Sequence, residues 1–286
     1  MPATRTYRAH PFAGYMVRAL LLVVLVISMN ARSVFAQDDQ EYKRAYNAAL
    51  AAYQAKNFDE AHTQWTTAAH LARQAGDTDI ERKSRYYVAQ LDYRRGVTAF
   101  KAKDYEQALK HHQAGTAIYP DYTKNLYGEG LALKKLGHID EALAKWKAVI
   151  DAGKDRKTTS TAQKAIRDHF YFQASSAVSK QHPTRADADR CLAALKASEA
   201  YLEPDADYYY YTAVAHNVRG EYTQSIAVAD KALDIHRGSR TDKAKIYFVK
   251  GEALMYSGNI DGAKAAFTNA AYGSYKALAE HYLQTL

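Results

Sequence analysis

Eleven histidines, one cysteine and a run of four tyrosines, Tyr208 to Tyr211, are the residues of this chain whose types could do chemistry. Histidines could supply a metal site or a general base, but that needs convergent spacing. His111 and His112 are adjacent, so on a helix their side chains diverge by about 100°. His62 and His70 share nearly one face but lie two turns apart. No His-Glu-x-x-His, paired-cysteine or glycine-rich phosphate motif occurs. The histidines therefore read as surface or helix-packing residues. Cys191 stands in the apolar helical stretch Arg190 to Leu195 and reads as a small buried hydrophobe. Asp205 and Asp207, just before the tyrosine run, suit the start of a helix, where the backbone dipole favours acids. Other carboxylates are interspersed with lysine, as at Glu141, Lys145 and Lys147, the pattern of a solvated helix face. No pair of residues has the pattern of an acid and its base, so the expectation is a protein that is not an enzyme, with no cofactor and no metal.

The elements that position these residues are legible from a recurrent phrase. It reads Asn57-Phe58-Asp59-Glu60-Ala61, Asp104-Tyr105-Glu106-Gln107-Ala108, His138-Ile139-Asp140-Glu141-Ala142, Glu221-Tyr222-Thr223-Gln224-Ser225 and Asn259-Ile260-Asp261-Gly262-Ala263. Each copy predicts a helix start: the first residue is often a capping type, and Glu or Gln three places later would return the bond in four of the five. The last residues of the phrases are 47, 34, 83 and 38 positions apart, which leaves room for one degenerate unit between Ala142 and Ser225 and makes six. Twelve residues before each phrase end stand Ala49, Gly96, Gly130, Ala213 and Gly251. A glycine inside a helix costs roughly 1 kcal/mol against alanine, so this column demands a close approach of two helices. Four residues after the phrase come Trp65, His112, Trp146, Ala229 and Phe267, and after seven, Ala68, Gly115, Val149, Ala232 and Ala270. The large-then-small order fits interlocking helix pairs.

The period of 34 and these columns resemble the tetratricopeptide repeat, a helix-turn-helix unit. The second unit carries Gly96, Tyr105, Ala108 and a closing Pro120; the third adds Tyr127, Gly130, Gly137, Ala142 and Trp146. The resemblance implies an all-α, right-handed α-solenoid of about six units, near 42–75, 89–122, 123–153, 167–204, 206–239 and 244–277. A capping helix would follow, with Leu278, Tyr282 and Leu283 on one face. His112 and Ala229 depart from the pattern, which usually has a large aromatic there. The polar run 154–160 is expected to be a linker between arrays 37–153 and 161–286. By resemblance, the fifth, ninth and twelfth residues of each unit point into a concave groove. These are Tyr46, Leu50 and Tyr53; Tyr93, Val97 and Phe100; Tyr127, Leu131 and Lys134; Tyr210, Val214 and Asn217; and Phe248, Glu252 and Met255. Tyr171 takes the same place in the degenerate unit. Tyrosine suits such a wall, since its ring buries area at little entropy cost and its hydroxyl can still bond. Inward packing against a neighbouring helix is the other role open to it.

The first residues set a location. Arg5, Arg8 and Arg18 precede an apolar run, Ala19 to Ile27, followed by Val34-Phe35-Ala36. This predicts a secretory signal peptide over 1–36 with cleavage between Ala36 and Gln37. The run is about half the length needed to span a bilayer. Loss of Arg5, Arg8, Arg18 and Arg32 with no acid lowers the formal net charge from +8 to +4. No basic run of the kind that binds nucleic acid or an anionic membrane remains. The expected product is a periplasmic or secreted scaffold that binds a protein or peptide in the groove, with Lys101, Lys124, Lys134 and Lys135 favouring an acidic segment. Stacking of a cell-wall glycan or other polymer on the same tyrosines is the alternative.

Overall fold

A computed structural model describes residues 41–286. The signal-peptide and cleavage-site expectations lie outside the described residues. Among those described, every regular element is helical and no strand occurs. The chain divides into two compact units that part between Ala142 and Leu143.

The first unit holds α1 (41–54), α2 (Phe58–Ala75), α3 (Thr78–Lys101), α4 (Tyr105–Ile118) and α5 (Lys124–Leu136). Helix α6 (Ile139–Ala152) begins in the first unit and ends in the second. The second unit continues with α7 (Arg156–Val178), α8 (Arg185–Ser198), α9 (Ala206–Arg219), α10 (Tyr222–Ile235), α11 (Arg240–Tyr256) and α12 (Ile260–Ala270). A short 3-10 turn, Gly273–Tyr275, leads into α13 (Lys276–Thr285). Consecutive helices pack against one another from α2 to α5 and from α7 to α13, and the first helices of neighbouring pairs also touch: α3 with α5, α7 with α9, and α9 with α11.

The recurrent phrase is the second helix's start. Asn57, Asp104 and Asn259 accept the backbone N–H three residues on, at 3.3, 3.1 and 2.9 Å. The reciprocal capping box, however, forms elsewhere, at Thr184 with Asp187 and at Ser239 with Asp242. The residue just before each phrase is left-handed: Lys56, Lys103, Gly137, Gly220 and Gly258 have φ of 62°, 65°, 89°, 75° and 86°. Glycine meets that demand without strain, whereas each lysine carries a cost of about 1–2 kcal/mol. The chain accepts it twice because the tight turn lets the cap reach its donor.

One expectation about a break changes, and one spacing is explained. The residues in excess of one period after the first pair lengthen α3 to 24 residues. No proline or glycine interrupts Thr78 to Arg95, and Asp77 caps the extended end by accepting from Ile80 N–H at 3.0 Å. The polar run expected as a linker is helical from Arg156, where Asp155 accepts from Thr158 N–H at 3.0 Å. Burial of Thr158, Ala162 and Ile166 along one face outweighs the weak helix propensity of its threonines. Non-helical backbone remains only at 153–155.

The small-residue column is a packing contact. A Cβ added at Gly96 would lie 2.6 Å from the His112 ring, and one at Gly251 would lie 2.7 Å from the Phe267 ring. Ala49 shares a buried cluster with Trp65, and Ala213 shares one with Ala229. Ala61, Ala108, Ala142 and Ala263 at the phrase ends are buried, as are Gly130 and Trp146. Ser225, the exception at that place, spends its hydroxyl on Ala213 O at 2.9 Å. Pro120 follows α4 by two residues, exposed, where it ends the helix.

Candidate functional site

In the first unit the expected wall residues fall into three environments. Tyr53 is 44% exposed, its ring 5.5 Å from both Phe58 and Trp65. Tyr46 and Leu50 are half-buried over the Ala49–Trp65 cluster, with Tyr46 6.5 Å from Tyr87. Burial first, and then Tyr87, raises the Tyr46 pKa, so its hydroxyl stays protonated. Tyr93 is half-buried between His112 at 5.7 Å and Tyr122 at 5.9 Å. Phe100 leans on Tyr105 across the α3–α4 turn at 5.3 Å. Val97, Tyr127 and Leu131 are half-buried, while Lys134 is exposed in the last turn of α5.

The second unit brings more of its wall residues together. The Tyr171 hydroxyl on α7 donates to Asp205 Oδ1 at 2.6 Å, and Arg167 Nε stands 2.7 Å from Asp205 Oδ2. Asp205 also caps α9, accepting from Asp207 N–H and Tyr208 N–H at 3.0 Å each. From there rings succeed one another: Tyr171 to Tyr211 at 5.9 Å, then Tyr211 to Tyr210 at 5.0 Å. The Tyr210 hydroxyl meets that of Tyr275 at 3.2 Å, and Tyr275 lies 5.3 Å from Phe248. Lys245 reaches over the Tyr210 ring at 4.9 Å and pairs with Asp207 at 2.6 Å. The result is one aromatic ladder across α7, α9, α11 and the 3-10 turn. Burial, reinforced by Asp205 at Tyr171 and by Tyr275 at Tyr210, drives both hydroxyls far above the ordinary tyrosine pKa. They act as neutral hydrogen-bonding groups at any physiological pH.

Three assignments on this wall need correction or detail. Phe248 is 7% exposed, enclosed by Phe267, Tyr275 and Tyr282, so the C-terminal helix makes it core and removes it from any open surface. Asn217 turns its amide back, donating to Val249 O at 2.9 Å, which ties α9 to α11. Val214 packs half-buried between α9's neighbours. Glu252 and Met255 remain half-buried on α11.

Residues that sequence patterning missed are Tyr87, Tyr122, Tyr211, Lys245 and Tyr275. Tyr87 sits in the extra turns of α3 and stacks on Trp65 at 4.5 Å and 17°. The signal for Tyr211 was present: four tyrosines in succession sweep about 300° of a helix, so some must reach the wall whatever the register.

The groups with chemical potential are spent on packing. Cys191 is fully buried and burial pushes its thiol up to about 12, which removes the thiolate. His112 is 2% exposed and hydrogen-bonds Asn125 Oδ1 at 3.1 Å, while Asn125 Nδ2 donates to Ala89 O at 3.0 Å. That arrangement places the imidazole proton on Nδ1, and burial holds its pKa below the ordinary value. His62 is paired with Asp92 at 3.1 Å. Among the described residues no three His, Cys, Asp or Glu side chains gather as metal ligands, and no helix is long and apolar enough to cross a membrane. A cleft of about 640 Å³ between α7 and α8 carries the exposed Phe172 but is otherwise lined by alanine, Gln173, Ser176, Lys180 and Arg190.

Comparison with known proteins bears on this architecture. Among solved structures, the chain is similar to a tetratricopeptide repeat protein from Parabacteroides merdae, at 14% identity over 86% of this chain and 98% of that one, with a TM-score of 0.33. It is similar to MamA at 18% identity over 68% and 94%, TM-score 0.36. The TPR2AB domain of yeast Sti1, solved in complex with an HSP90 segment, is 16% identical over 86% and 95%, TM-score 0.34. The search of curated proteins gave no match. Residues 173–240 match the sequence profile of the tetratricopeptide repeat. That stretch joins α7, α8, α9 and α10, and the same small-against-large helix contact recurs outside it at Gly96–His112 and Gly251–Phe267. Residues 173–240 are thus a tetratricopeptide-repeat stretch within an all-α helical-repeat fold.

Proposed function

We propose that the chain is a non-catalytic scaffold that holds a protein or peptide segment against the tyrosine face of its first helices, and that it works in the periplasm or outside the cell after losing residues 1–36. The observation that carries this is the ladder Tyr171–Tyr211–Tyr210–Tyr275. It offers broad ring area, and burial keeps the Tyr171, Tyr210 and Tyr211 hydroxyls protonated. Such rings lose little side-chain entropy on contact, which makes them efficient anchors. The non-catalytic reading is supported by what the reactive groups do: Cys191 and His112 are buried and bonded, and Asp205 and Asp207 are paired with Arg167 and Lys245. In the first unit the exposed Lys101, Lys134 and Lys135 suit an acidic stretch of the partner.

The test immobilises the full chain beside its Tyr53→Ala and Tyr171→Ala variants and exposes each to envelope proteins and, separately, to purified peptidoglycan. A defined protein retained by the wild type should bind the variants with a loss of about 2 kcal/mol or more at an anchor position. Sedimentation with peptidoglycan, with no protein retained, would overturn the reading in favour of a glycan binder.

A further inference from the structure

One cleft of the first unit lies away from the wall. Its volume is about 530 Å³, and it is bounded by the starts of α2 and α4 and by the part of α3 that runs between them. At 100° per residue, Leu91, Thr98 and Ala102 lie on the side of α3 opposite Tyr93, Val97 and Phe100, so the cleft does not share the face of the tyrosines. Part of its lining is apolar: Leu91 is 3% exposed, and Phe58 and Ala99 are half-buried.

Arg94 stands at the edge of this lining. Its guanidinium carbon is 3.8 Å from the centre of the Phe58 ring, and among the described residues no acid pairs with it. The neighbouring Arg95 differs, since it reaches Asp59 at 2.6 Å and Asp92 at 3.8 Å. Asp104, the other acid of the cleft, accepts from Gln107 N–H at 3.1 Å. Both acids of the cleft are thus engaged, while Lys56 and Arg94 have no counter-charge among the described residues. The first turns of α2 and α4 add the positive ends of two helix dipoles. Packing does not call for the arginine: the corresponding places, two residues before the small column, hold Asn47, Gly128, Tyr211 and Val249. A guanidinium held against a ring is fixed in place, yet it keeps its edge N–H groups for another partner.

We propose that this cleft is a second docking site, which takes an acidic side chain of a partner polypeptide onto Arg94 and an apolar neighbour of that side chain onto Leu91 and Ala99. Charge complementarity selects the occupant, because two cations here are unmatched and the acids are already bonded. A carboxylate fits the guanidinium best, since it accepts two parallel bonds from one edge. The apolar lining favours a polypeptide over a free anion, which would leave Leu91, Ala99 and Phe58 uncovered. The site rests on the scaffold reading for the kind of partner, and it adds a second face to the wall of first helices.

The experiment follows the arginine Nε–H resonances of the full chain while a capped Gly-Leu-Glu-Glu-Leu-Gly peptide is added, and repeats this with glutamine in both glutamate places. The Arg94 resonance, identified by its loss in Arg94→Gln, should shift with the glutamate peptide. That peptide should bind at least about tenfold more tightly than its glutamine counterpart, the scale of a hydrogen bond between charged groups. Arg94→Gln should weaken it by a similar factor, about tenfold, and keep its thermal transition because the side chain is exposed. Equal binding of the two peptides, unchanged affinity in Arg94→Gln, or an Arg94 resonance that does not move would each overturn the proposal. A protein partner that the wild type retains and Tyr171→Ala loses would leave the scaffold reading standing in that event.

Discussion

The two units build the same contact from different chemistry. In the first, the slot opened by Gly96 is filled by an imidazole; in the second, the slot opened by Gly251 is filled by a phenyl ring. Phe267 needs nothing beyond close packing, and it has it: 0% exposure, Tyr282 stacked on it at 4.8 Å and 6°, Phe248 at 5.5 Å. His112 carries a donor into the same kind of place, and the first unit supplies Asn125 to receive it and the Ala89 carbonyl to satisfy Asn125 in turn. Further space comes from α5, where a Cβ at Gly128 would lie 2.4 Å from the imidazole. The small residue thus fixes the approach of the helices, while the identity of the filler is free provided its polar atoms are met.

The largest break in this comparison is Phe267→Ala. Truncation of a fully buried large aromatic should cost about 3–5 kcal/mol, read from urea unfolding. Because Tyr282 rests on the Phe267 ring, α13 should also lose hydrogen-exchange protection. A loss below 1 kcal/mol would show that the slot collapses freely around the missing ring.

The units also differ in how they answer to pH. His112 has a lowered pKa in the folded state through burial, so the unfolded chain binds more protons in that range. Its contribution is present above the unfolded histidine value and is lost as pH falls toward the folded one. Glu252 has a raised pKa, from 4.5 to about 7, so its contribution is greatest below 4.5 and is lost as pH rises toward 7. The two slopes oppose each other. Glu252→Gln should stabilise the chain at pH 8 by up to about 3 kcal/mol, the upper bound set by that shift before residual solvent screening, and by little at pH 4. Melting temperatures of the variant across pH 4–8 check this, and a pH-independent gain would assign the effect to something other than ionisation.

A smaller effect is expected from His112→Phe, which converts the first unit's filler to the second unit's kind. The ring is kept but Asn125 Oδ1 loses its donor, at about 1–3 kcal/mol for a buried acceptor left unmet. The double variant His112→Phe, Asn125→Leu should recover most of that, since both partners are then apolar. If the single variant is as stable as the wild type, the polar filler carries no requirement and the two slots are interchangeable.

What could be read from the sequence was whatever recurs. The phrase ends, the small column and its large partner repeat at fixed offsets, so helix pairs and the contacts Gly96–His112 and Gly251–Phe267 followed from spacing alone. What could not be read were the places where tertiary contact overrides local type. The run 156–160 looks like a linker by composition, yet it is a helix because Asp155 caps it and one face is buried. Phe248 sits at a wall position by register, but the chain's own C-terminal helix covers it, a contact no repeat offset encodes. Glu252 stood at a wall position by register, but nothing in the spacing said that burial would raise its pKa.

The finest division between the units concerns the hydroxyls of their wall tyrosines, and Tyr171→Phe isolates it. Tyr171 donates to Asp205, which keeps Arg167 and the N–H groups of Asp207 and Tyr208 when that donor is removed. The phenyl ring stays in contact with Tyr211. The loss is therefore one hydrogen bond whose acceptor remains satisfied, about 1 kcal/mol or less, and a fall of about 2–4 °C in melting temperature for a chain of this size. In the first unit the Tyr46 pKa is raised by burial ahead of any partner, and its ring lies 6.5 Å from that of Tyr87, so Tyr46→Phe should cost less than Tyr171→Phe. If the hydroxyls serve the partner as well as the fold, affinity should drop by more than stability in both variants. If Tyr171→Phe lowers the melting temperature while partner affinity holds, the ladder's hydroxyls belong to the scaffold, and recognition rests on ring faces.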